Sequence, residues 1–107
     1  MVKVSIFYPR KEGSRFDMDY YLATHIPMAI EKLGSHPGFK EVSVEYGIDG
    51  AAPGIDATYV VICQFLFTSL EDFMDAFSPH ASLLQGDVQN YTDIEPVIQF
   101  SEVLLLQ

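Results

Sequence analysis

The sequence predicts an α+β fold of the ferredoxin-like type, βαββαβ, in which a four-stranded antiparallel sheet carries two helices on one face. Three observations lead there: four strand-like apolar runs, two stretches with helical spacing that separate the first run from the second and the third from the fourth, and a glycine-rich hairpin connector between the second and third. The 107 residues suit a single domain, 1–107, with one modest core.

Val2, Val4, Ile6 and Tyr8 alternate with Lys3, Ser5 and Phe7, which is the period of a strand, and Pro9 ends it. Asp17 is placed to cap a helix whose apolar stripe is Leu22, Ile26, Ile30 and Leu33, and Gly34 stops it. Pro27 has no amide hydrogen for the carbonyl of Ala23, so this helix is expected to bend or break near His25. FKEVSVEY, residues 39–46, alternates again as the second strand. GIDGAAPG, residues 47–54, follows as a loop expected to be mobile.

YVVICQFLF, residues 59–67, is apolar on both faces apart from Gln64, the mark of an interior strand. Thr68 and Glu71 fit a capping box, and Leu70, Phe73, Met74 and Phe77 form a helical face until Pro79 interrupts it, with a resumption through His80 to Leu84. The fourth strand spans 97–106, VIQFSEVLLL. Because strands three and four are apolar on both faces, the helix-free side of the sheet calls for a cover. The simplest is a second copy of the chain, giving a dimeric α/β barrel joined through the open sheet faces.

Six basic against fifteen acidic residues give a net charge of −9, which repels phosphate backbones and anionic lipid and excludes nucleic acid and membrane surfaces as partners. Cys63 is the only cysteine, so no intrachain disulfide forms. The N-terminus lacks a signal-peptide pattern and no apolar run reaches a membrane span, which reads as a soluble, cytoplasmic protein.

YPRKEGSRFDMDYYLATHIP near the N-terminus, SLEDFMDAFSPHA in the middle and NYTDIEPVIQFSEV near the C-terminus resemble the EthD family, named for ethyl tert-butyl ether degradation and part of the dimeric α/β-barrel superfamily. The most distinctive pieces are FDMDYY followed by HIP, and YTDIEP followed by a strand. The resemblance implies a homodimer with a pocket in each subunit between sheet and helices, where relatives bind small aromatic or ketone-bearing molecules. Superfamily members include cofactor-free monooxygenases, polyketide cyclases, decarboxylases and isomerases.

Among side chains, His25 is the first candidate for proton transfer, since imidazole titrates near neutrality. Helical spacing puts it and Tyr21 at the border of the buried stripe, with Tyr20 and Thr24 on the far side. Two readings stay open: His25 serves a pocket, or it ties down backbone freed by Pro27. Tyr8, Tyr46, Tyr59, Tyr91 and His80 are candidates for ligand binding, the tyrosines because each offers an apolar ring with a hydrogen-bonding tip. His36 reads as a bland loop residue and Cys63 as a buried, inert thiol.

No histidine pair has ligand spacing, and there is no GxGxxG, phosphate loop or GxSxG, so neither metal nor organic cofactor is expected. The functional expectation is a cofactor-independent enzyme acting on a small hydrophobic carbonyl, phenolic or quinone-like molecule, with His25 moving a proton and Tyr21 orienting the substrate. A non-catalytic binding protein of an oxidative degradation pathway is the alternative.

Overall fold

The strand-like runs pair antiparallel into one sheet of order β2-β3-β1-β4, with β1 (Val2–Pro9), β2 (Phe39–Tyr46), β3 (Tyr59–Phe67) and β4 (Val97–Glu102). The computed structural model describes every residue, Met1–Gln107. β3 is interior, as its two-sided apolar pattern requires. Register sets the faces: Val4 lies between Phe65 and Phe100, and Ile6 between Cys63 and Ile98. On that side Phe73, from a helix, stacks near Phe67 and Phe100 at 5.3 and 5.9 Å between ring centres. The fold is thus α+β and ferredoxin-like, and no helix is long and apolar enough to cross a membrane.

The opposite face is mixed. Phe7 stands between Ile62 and Val97 in an apolar row, while Ser5 stands between Gln64 and Gln99 in a polar one. Gln64 donates to the Ser5 hydroxyl at 3.2 Å.

Asp17 caps the first helical segment, its Oδ1 accepting from the Tyr20 amide at 3.0 Å. The segment runs through α1 (Met18–Tyr20), a π-helical turn (Tyr21–His25) and α2 (Ile26–Leu33), where Gly34 closes it. The irregularity expected from Pro27 is therefore a widening rather than a break: the Ile26 amide reaches back five residues to the Tyr21 carbonyl.

That widening corrects the predicted stripe. Leu22 and Ile30 are 50% and 40% exposed, whereas Tyr21, His25, Ile26, Ala29 and Leu33 are buried. On a regular helix, steps of four residues drift about 40° each. The wide turn reverses part of the drift, so Tyr21, His25, Ala29 and Leu33 share one inward face.

The second helical segment comprises α3 (Leu70–Phe77), a 3₁₀ turn (Ser78–His80) and α4 (Ala81–Gly86), followed by a 3₁₀ turn at Val88–Asn90. Its cap is Ser69, accepting from the Asp72 amide at 3.0 Å, one residue later than the predicted Thr68/Glu71 box. Thr68 is still tied to the sheet, its amide donating to the Gly38 carbonyl, so the extended Ser69 is the residue that turns the chain. The Thr68 hydroxyl donates instead to the Asp72 carboxylate.

The predicted fourth strand is also too long. Val2 pairs with Glu102 and the Val103 amide donates to the Met1 carbonyl at 2.9 Å, where the partner strand runs out, and Leu104 and Leu105 are 90% and 82% exposed.

Candidate functional site

Between the helix-covered face of the sheet and both helical segments lies a cavity of about 290 Å³, walled by Tyr8, His25, Phe65, Phe73, Phe77 and Tyr91 among others. β1 supplies Tyr8, the wide turn supplies His25, and the stretch after the last 3₁₀ turn supplies Tyr91.

His25 is 8% exposed and its Nδ1 meets Asp87 Oδ2 at 2.9 Å. Its Nε2 has no hydrogen-bond partner in the protein and, since no side-chain nitrogen or oxygen is both buried and unpartnered, it keeps some access; His25 is one of the residues that line the cavity. The ring is clamped between Tyr21, nearly parallel at 5.6 Å, and Tyr91, tilted at 4.6 Å.

Asp87 is the hub behind it. Its Oδ1 accepts from the Tyr20 hydroxyl at 2.6 Å and from the Asn90 side-chain amide at 3.0 Å. Burial works against its charge, but the bonds from Tyr20, Asn90 and His25 together outweigh it and hold the carboxyl below its ordinary range. Donating to this carboxylate pushes the Tyr20 phenol up. An ionised Asp87 accepts rather than donates, so a neutral His25 carries its proton on Nδ1 and keeps the lone pair on Nε2.

The Tyr8 and Tyr91 hydroxyls meet at 2.7 Å. Burial pushes the Tyr8 phenol up to about 12, with the Tyr91 bond acting in the opposite direction, and burial also raises Tyr91. Both phenols are neutral near pH 7, and when one donates to the other, the acceptor's own proton is free for a ligand oxygen.

Of the residues singled out in the sequence, His25, Tyr8 and Tyr91 converge. Tyr21, 1% exposed, stays in the core, where burial chiefly raises its pKa. Cys63 is buried and pushed up to about 11, again chiefly by burial. The remaining three lie apart from the cavity. Tyr46 is 62% exposed at the end of β2, Tyr59 packs on Phe7 at 4.9 Å, and His80 is half-buried in the 3₁₀ turn.

Asp87 escaped the sequence reading: its partners Tyr20 and His25 are 67 and 62 residues away, and only proximity in space joins them. Tyr20, assigned to the far side, belongs to the same network.

His36, Asp72 and Asp75 bring potential ligand atoms within 4.8 Å of one another. The Gly38 amide, however, donates to His36 Nδ1 at 2.9 Å, which places the ring proton on Nε2 and leaves a neutral imidazole no free lone pair for a metal.

The EthD domain family model matches residues 13–95. The chain is 42% identical to an EthD-like protein of Ralstonia eutropha, with a TM-score of 0.91 over 99% of this chain and 94% of that one. An ethyl tert-butyl ether degradation family protein of Bacillus halodurans shares 20% identity and a TM-score of 0.71, over 97% and 99%. The cofactor-independent oxygenase SnoaB of Streptomyces nogalater shares the fold at 13% identity, with a TM-score of 0.56 over 98% and 93%. No match is found among curated proteins. With the family pattern spanning most of the sequence and a solved EthD-like relative superposing along nearly its whole length, the chain belongs to the EthD family.

Proposed function

We propose that the protein is a cofactor-independent enzyme that removes a proton from a small hydrophobic phenol, enolisable carbonyl or quinone-like molecule. The observation that carries this reading is the placement of His25, with Nδ1 held by Asp87 and the ring in the wall of an aromatic-lined cavity. At about 290 Å³ the cavity sits at the small end of ligand sites, which suits one or two fused rings.

His25 Nε2 takes the proton and Asp87 stabilises the imidazolium that forms. The free hydroxyl proton of the Tyr8/Tyr91 pair hydrogen-bonds the substrate oxygen on which negative charge develops. Tyr21 packs against His25 and positions the ring without reaching the substrate. The resulting resonance-stabilised anion is the species that an oxygenase-, isomerase- or lyase-type step consumes.

Deuterium exchange into a panel of one- and two-ring phenols and enolisable ketones, followed by NMR, tests this. The wild type exchanges at least one of them and His25→Ala does not. Equal exchange by both proteins overturns the reading. Ligand retention by His25→Ala without exchange activity in either protein favours the non-catalytic binding alternative.

The same reading includes a homodimer through the open sheet face. The row of Phe7, Ile62 and the 53%-exposed Val97 supports it. Sedimentation at micromolar concentration checks this, with Val97→Asp expected to shift the protein to monomer.

A further inference from the structure

Half of the chain's cations sit in six residues. Lys and Arg number six against fifteen acids, and Arg10, Lys11 and Arg15 all fall in the loop after β1. None of the three makes an ion pair: the salt bridges in the molecule are His25 with Asp87 and Lys32 with Glu31. In so acidic a chain this is an expensive arrangement unless an anion is expected from outside.

The two guanidinium groups of the loop are also held by neutral acceptors. Arg10 Nε donates to the Ala57 carbonyl at 3.0 Å and Arg15 Nη2 to the Gln89 carbonyl at 2.7 Å, so each guanidinium is fixed while its charge and four N–H groups remain available. The Arg15 amide and the Thr92 hydroxyl add bonds to Asp93 and to the Arg15 carbonyl at 2.9 and 2.7 Å. Gly13, at φ +79°, makes the turn between the cations.

These side chains border a cleft of about 740 Å³ that is separate from the His25 cavity. Its apolar part is Phe16, Met18 and Ile94, and the exposed Tyr46 stands at its side. Phe16 is the partition: its ring meets Tyr8 and Tyr91, which line the cavity, at 5.1 and 5.4 Å.

We propose that this cleft is a binding site for an organic monoanion, a carboxylate on an apolar, ring-sized body. The carboxylate pairs with Arg10, Lys11 and Arg15 while the body rests on Phe16, Met18 and Ile94. A single charge is favoured over a phosphate dianion because Glu12 and Asp56 border the same cleft, which leaves at most one net positive charge there, and Asp93 sits on the Arg15 amide beside it. The site stands independently of any proton transfer at His25, and it gives Tyr46 a role that the cavity does not.

Benzoate, benzamide and phenyl phosphate serve as probes, with amide NMR shifts of the whole chain as the readout. Benzoate is expected to shift Arg10–Phe16 and Tyr46 saturably, and benzamide, of like shape but uncharged, to bind at least about tenfold more weakly. Arg10→Gln and Lys11→Ala each weaken benzoate severalfold, and Lys11 makes no side-chain hydrogen bond whose loss would unfold the loop. Equal binding of benzoate and benzamide, unchanged affinity in both variants, shifts confined to the His25 cavity, or no saturable binding overturns the proposal. Phenyl phosphate binding more tightly than benzoate overturns the monoanion assignment.

Discussion

Each helical segment contains a proline within two residues of a histidine, and the two resolve the same defect in opposite ways. Before Pro27 the helix widens into a π turn, whereas around Pro79 it tightens into a 3₁₀ turn and the chain restarts as α4. Widening takes one more residue into the turn and carries His25 into the core against Asp87. Tightening leaves His80 half-buried at the corner, away from the cavity. A proline close to a histidine is therefore no signature by itself. The direction in which the backbone absorbs the missing amide decides which histidine faces the chemistry.

The sharpest way to break this contrast is paired substitution of the two histidines. His25→Ala is expected to lower proton exchange by about 10² to 10⁴-fold, while His80→Ala leaves it unchanged, both read by NMR exchange rates. Comparable losses would erase the distinction. Next comes the wide turn itself. Tyr21→Ala should cost about 3–5 kcal/mol in urea unfolding, as for a buried aromatic, and Leu22→Ala under about 1 kcal/mol. A regular helix would reverse that order.

Asp87 offers a test by pH. A carboxyl whose pKa is lowered on folding binds fewer protons folded than unfolded, so its contribution is complete above about pH 4 and is lost as pH falls through the folded value. The stability gap between wild type and Asp87→Asn should then hold steady above about pH 5 and narrow as pH falls below about 4. A gap that widens on acidification would show that Asp87 is not held ionised. The smallest effect concerns the tightened segment: Ser69→Ala should cost about 1 kcal/mol and Thr68→Ala less, because Ser69 is the cap.

Local periodicity determined the four strands' existence, the bounds of β2 and β3, the Asp17 cap and the site of the helical irregularity, because strand alternation and proline's missing donor are properties of neighbouring residues. Tyr8, His25 and Tyr91 were legible as side chains able to act in an apolar pocket, and the motifs around them carried the family. The inward rotation of Tyr21, the end of β4 at Glu102 and the hub at Asp87 were decided by tertiary structure. A π turn depends on which face the sheet will accept, a strand ends where its partner does, and a carboxylate 62 residues from its histidine becomes an orienting group only when the chain has closed around the cavity.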